Sequence, residues 1–238
     1  MLGLGTSLSA AGAVSEVLPS DISGLALWYQ NNVGVAVGQW DDSSGNSRHA
    51  VQGTASEQAA VSGGGLDFDG ADPEDHYDIA ESTGYINPGG TNAFTIAFVA
   101  KRDDNDDDHA IVGSNTGYLA FLNETNITYR SNAITQFTFA ADTWAQDAQF
   151  LCTITKDTSG NFLFWKNGVS ISPTASSNAP NTDATWSTIK LFGAKHSGES
   201  TGSFTWDGII YEVVMYDTQL TGSNLADLNS YLTSKFGL

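Results

Sequence analysis

From Leu25 to Tyr216 the chain is written in short runs of β-branched and aromatic residues separated by clusters of Gly, Asn, Asp and Ser. That rhythm confines it to strands joined by tight turns and leaves no room for strand–helix alternation. Phe94-Thr95-Ile96-Ala97-Phe98-Val99-Ala100 is apolar on both faces, as a central strand covered on both sides requires. Phe150 to Thr155 and Phe162 to Trp165 flank a Gly-containing loop and read as a hairpin. Asn167-Gly168 marks the next reversal, because both residues tolerate the positive φ angles of a tight turn. Helical spacing occurs only over Ser223 to Lys235, where Leu225, Leu228 and Leu232 form one apolar stripe and Thr221 or Ser223 can cap the start. The expected fold is therefore all-β: a two-sheet antiparallel sandwich with a short C-terminal helix. A length of 238 residues suits one such domain, taken to span residues 19–238 after the break at Pro19 and Ser20-Asp21. Residues 1–18 form an extended N-terminal arm rich in Gly, Ala, Ser and Leu. No internal repeat suggests a solenoid or propeller.

Composition excludes several roles. With 27 acidic and 9 basic residues and a net charge of −18, the chain lacks the basic clusters that grip phosphate backbones, so nucleic acid is not an expected partner. Cys152 is the only cysteine, so no intrachain disulfide can form. Alternation places it with Phe150 and Ile154 on one strand face, as a buried inert thiol. The first basic residue is Arg48, so the start lacks the positive region of a secretory signal. No apolar run reaches the length of a membrane helix. These features predict a soluble product released without a classical signal, with no membrane insertion.

Several constellations could carry chemistry. Glycoside hydrolysis needs two carboxylates facing a cleft, and Glu212 on the last strand has no acidic partner at alternating positions. No catalytic residue is therefore assigned, and the chain is not expected to be an enzyme. Gly198-Glu199-Ser200-Thr201-Gly202 matches a nucleophile elbow in letters alone, since no helix follows it. Asp103-Asp104-Asn105-Asp106-Asp107-Asp108 is the densest carboxylate run and directly follows the central strand. Asp and Asn oxygens at a sheet end can serve a hard cation such as Ca²⁺. An EF-hand is excluded, because His109 and Asn115 stand where its Gly and Glu belong. Asp67, Asp69, Asp72 and Asp75 form a second acidic group, and Asp41-Asp42 begins a turn-rich loop; both read as loop staples first. Trp28, Trp40, Trp165 and Trp206 sit in strand-like contexts and read as core. Trp144 and Trp186 lie beside polar loops and, with Tyr118 and Tyr129, are the candidates for an aromatic platform on which sugar rings stack. Burial under the long loops is the alternative. The sequons at Asn123 and Asn126 have meaning only in a eukaryotic secretory pathway.

Five signatures appear in a fixed order: Leu27-Trp28, Trp40-Asp41-Asp42-Ser43-Ser44-Gly45-Asn46, Phe68-Asp69-Gly70, Trp165-Lys166-Asn167-Gly168 and the closing Tyr231 to Leu238. Together they resemble the concanavalin A-like lectin/laminin G-like superfamily over roughly residues 21–238, which implies a jelly-roll sandwich. In that resemblance Phe68-Asp69-Gly70 is structural, with Phe inward, Asp on the turn backbone and Gly in a special conformation. Phe98 to Asn105 is similar to the pentraxin segment that binds calcium, which implies Asp104 and Asn105 as ligands. Pentraxins complete that site with a later acidic loop, whereas Phe192 to Ser197 is basic here. The Met-Leu-Gly-Leu-Gly start before a laminin G-like sandwich also looks like small virion structural proteins of tailed phages of marine cyanobacteria. That resemblance implies a head decoration protein or tail appendage, made in the host cytoplasm and held in the virion by residues 1–18. It also admits a homo-oligomer and contact with host surface glycans. The alternative is a carbohydrate-binding lectin module of a bacterial or phage surface protein, and behind it a polysaccharide-degrading enzyme.

Overall fold

A computed structural model of the chain describes residues 16–70, 75–79, 91–104, 109–114, 117–131, 133–177, 190–191, 193–195 and 203–238. Two antiparallel sheets face each other. The first runs Val169–Ile171, Phe162–Lys166, Phe150–Lys156, Phe94–Arg102, Asp207–Tyr216, Gly65–Asp69, Ala60–Ser62, and Leu25–Tyr29 joins the far half of Asp207–Tyr216. The second runs Ala175–Ser177, Ala133–Thr138, Asn126–Ser131, Gly117–Phe121, His109–Gly113, Lys190–Leu191, Tyr77–Ile79, Ala50–Val51, Gln39–Trp40, Val35–Ala36. A small ribbon pairs Gly193–Lys195 with Ser203–Thr205. The helix, Gly222–Phe236, lies on the outer face of the first sheet. This is the all-β sandwich with one C-terminal helix that the strand rhythm predicts, and among the described residues no helix is long and apolar enough to cross a membrane.

The central strand shows why both of its faces are apolar. Phe94, Ile96, Phe98 and Ala100 enter the core between the sheets, where Phe98 meets Phe121, Phe150 and Trp206 edge-on at 6.0, 6.2 and 6.1 Å. Ala97 and Val99 point the other way, into the layer under the helix with Leu225, Leu228 and Leu232. One strand thus serves two hydrophobic layers. Cys152 is fully buried in the inter-sheet core, and burial pushes its thiol well up, away from the reactive thiolate. The helix ends at Gly237, whose φ of 69° is the left-handed conformation that glycine adopts without a Cβ penalty. At the other end Thr221 is the N-cap residue, but its hydroxyl makes no cap bond.

Strict alternation along Asp207–Tyr216 would put Glu212 on the same face as Gly208 and Ile210, facing the inter-sheet core. A β-bulge between Ile210 and Glu212 resets the period. Val213 and Met215 then face that core, while Glu212, Val214 and Tyr216 face the helix side. Buried Glu212 accepts from Trp28 Nε1 at 2.8 Å, Asn31 N at 3.2 Å and Tyr231 Oη at 3.3 Å, and pairs with Lys235 Nζ at 2.6 Å. One carboxylate therefore ties the first strand, the last strand and the helix together.

Candidate functional site

Two places on the sandwich gather functional groups. The first lies at the end of the sheet where Phe94–Arg102 stops and Asp207–Tyr216 begins. Asp103 N donates to Asp207 O at 3.1 Å, and Asp207 stands opposite Asp69 in register, so side chains remote in sequence meet. Asp207 N donates to Nδ1 of buried His109 at 3.1 Å. That bond fixes Nδ1 as the acceptor and leaves the ring proton on Nε2, which lies 2.8 Å from Asp104 Oδ1. Lys101 Nζ lies 2.5 Å from Asp103 Oδ1. The Asp207 carboxyl is pushed up to about 6, first by burial and then by the charge of Asp104, with which it shares a hydrogen bond. Asp67 and Asp75 are raised by burial as well, with Asp103 and Asp69 adding to the respective shifts.

Among the described residues, the acid found beside Asp104 is Asp207; the 192–197 stretch that the pentraxin resemblance points to contains no acid. Asn105 lies outside the described residues, and among the described residues no group of three His, Cys, Asp or Glu side chains is placed to hold a metal ion. The acidic end does carry a pH prediction. A carboxyl raised in the folded state adds stability that is fully present below its unfolded value of 3.8 and is lost as pH rises through about 6. Asp207→Asn imitates the protonated acid, so at pH 7 it should stabilise the fold. The raised value alone corresponds to about 3 kcal/mol, which water screening at this partly exposed group reduces to about 1 kcal/mol. Thermal melts should show a gain of about 2–4 °C at pH 7 and little change at pH 4. Equal destabilisation at both pH values would contradict the shared proton.

The second place is an open groove of about 450 Å³ between the helix and the Asn167-Gly168 turn. Asn167 and Gly168 have φ angles of 50° and 75°, the paired positive values of the tight turn that Asn-Gly predicts. A side chain at Gly168 would press on Thr233 of the helix, with a Cβ contact at 3.3 Å. The turn is locked to its neighbour strand, since Asn167 N donates to Leu151 O at 2.9 Å and Leu151 N donates to Asn167 Oδ1 at 2.8 Å. On the opposite wall Asn229 is 5% exposed, and its Oδ1 accepts from buried Thr153 Oγ1 at 2.7 Å. Half-buried Trp165, exposed Ala226 and Ser230, and Thr233 complete the lining used below.

Three of the four aromatic residues expected to form a sugar platform are buried. Trp144 is fully buried, with its ring 5.2 Å from Phe121 and 5.6 Å from both Phe139 and Phe150. It fills the inter-sheet core beneath the loop that carries it. Tyr129 is buried between the sheets, 5.0 Å from Phe162, and burial raises its phenol to about 12. Tyr118 is buried with Ala110 and Ala120. None of these three offers a face to a sugar. Trp186 and the 198–202 loop lie outside the described residues. Trp28, Trp40 and Trp206 are core as expected, but Trp165 is the one that reaches a groove. The period-two rule contained that signal: Phe162 and Phe164 face the inter-sheet core, so Trp165 and half-exposed Leu163 must face the other way. Asp42 acts as the loop staple the sequence predicts, accepting from Trp28 N, Ser44 N and Arg48 N, each at 2.9 Å.

No protein-family model matches the chain, and no curated protein matches it. Solved structures do. The binding domain of botulinum neurotoxin DC in complex with rat synaptotagmin II superposes with a TM-score of 0.61 at 15% identity, over 88% of this chain and 52% of that one. A structure of botulinum neurotoxin type C gives 0.61 at 16% identity, over 88% and 51%. Trypanosoma rangeli sialidase in complex with sialic acid gives 0.60 at 14% identity, over 90% and 33%. The chain therefore spans about half the length of the toxin structures and a third of the sialidase. The likeness establishes a shared β-sandwich fold.

Proposed function

We propose that the chain is a carbohydrate-binding β-sandwich module. The observation that carries the reading is that nearly the whole chain superposes on sandwiches of sugar-engaging proteins. One of them is a sialidase holding sialic acid; another is a toxin whose entry into cells depends on interaction with two ganglioside molecules. Binding rather than hydrolysis fits the carboxylates. Glu212 is consumed by four partners, and Asp104 and Asp207 share a hydrogen bond instead of standing across a cleft. Display on a virion through residues 1–18 is supported by the sequence resemblance alone, and residues 1–15 lie outside the described residues. A glycan array probed with the whole labelled chain tests the reading. Saturable binding to a defined glycan class is expected. Release of reducing ends from a bound polysaccharide would replace the reading with an enzymatic one, and binding to no glycan would refute it.

A further inference from the structure

We infer that the groove between the helix and the Asn167-Gly168 turn is a seat for a neutral glycan, with the ring of Trp165 as its floor and the side-chain amides of Asn167 and Asn229 as its fixed donors. This assignment rests on the carbohydrate-binding reading and goes beyond it by naming the site and the sugar class. Each amide already spends its Oδ1 within the protein, Asn167 on Leu151 N and Asn229 on Thr153 Oγ1. The group each has left is its NH₂, for which no acceptor occurs among the described residues. A saccharide hydroxyl is an acceptor for such a group and a donor at the same atom. Acceptors for the sugar come from the exposed Ser230 hydroxyl and from Thr233 Oγ1, which donates within the helix to Asn229 O at 2.8 Å and keeps its lone pairs.

Preorganisation separates this groove from an ordinary crevice. The turn is tied to the strand by two hydrogen bonds and the helix amide by one to a buried threonine, so little side-chain freedom is lost when a ligand arrives. The half-buried indole supplies the apolar surface on which the CH face of a pyranose packs. Small Gly168 and Ala226 leave the space open. The charge of the ligand follows from the lining: among the described residues no Asp, Glu, Lys, Arg or His lines the groove. A chain of net charge −18 repels an acidic sugar that has no cation to receive it. Uncharged hexose and N-acetylhexosamine oligosaccharides fit, and sialylated ones do not.

The test titrates ¹⁵N-labelled full-length protein with neutral hexose and N-acetylhexosamine oligosaccharides, with a sialylated oligosaccharide as the contrast. Expected are saturable shifts of the Trp165 indole NH and of the Asn167 and Asn229 side-chain amides. Ala226→Trp, at an exposed helix position, fills the groove without entering the core and should weaken neutral-glycan binding at least tenfold while leaving the melting temperature unchanged. Shifts at the same groups on raising protein concentration alone would overturn the assignment in favour of a second copy of the chain. So would the absence of any shift at these three groups with every neutral sugar. If the wild type binds a glycan and Ala226→Trp binds it equally well, the groove assignment falls while the module reading stands. If neither binds any glycan, both fall.

Discussion

Trp144→Ala is expected to destabilise the fold by about 3–5 kcal/mol, the usual cost of emptying a large aromatic site in a packed core. Its ring is fully buried against Phe121, Phe139 and Phe150. Its backbone N donates to Glu124 O at 3.0 Å, and its carbonyl accepts from buried Arg102 Nη1 at 3.2 Å. These backbone contacts survive truncation, so the loss is one of packing and cavity formation. Urea unfolding measures it directly. A glycan platform would behave in the opposite way, with binding lost and stability kept, and that result would return Trp144 to the surface.

Glu212→Ala is expected to cost about 3 kcal/mol, because it strands several partners at once. Trp28 Nε1, Tyr231 Oη and Asn31 N lose their acceptor. Lys235, whose side chain is 24% exposed, can turn to water, which moderates the loss. Burial is the first cause raising the Tyr231 phenol and the Glu212 charge the second, so the substitution should also bring its titration down. Denaturant unfolding gives the energy, and ultraviolet titration of the phenols gives the shift. A stability change within about 0.5 kcal/mol of wild type, the range of ordinary surface substitutions, would show that the carboxylate does not tie helix to sheet.

Much of the architecture is legible in the sequence because it is encoded locally. Phe94 to Ala100 announces two covered faces, Leu225, Leu228 and Leu232 announce one helix stripe, and Asn167-Gly168 announces its turn; each signal acts over a few residues. What is not legible depends on pairing across the chain. Nothing in Gly208-Ile209-Ile210-Tyr211-Glu212 marks a bulge, yet the bulge decides which layer Glu212 enters. Asp104 and Asp207 meet only because their strands are neighbours. Trp144 is misleading because polar neighbours describe the loop and not the ring, which turns inward to fill the core. Trp165 was readable from alternation, but its groove also needs the helix, placed on that face by tertiary packing.

The most direct test of the central claim, that this sandwich binds carbohydrate, is saturation-transfer difference NMR on the full chain with mixed neutral oligosaccharides, which detects weak ligands free in solution. Transfer to the ring CH protons of at least one oligosaccharide, rising to a plateau with sugar concentration and absent without the protein, is the predicted result. Absence of transfer to every sugar, neutral or sialylated, under conditions where the protein is folded would contradict it.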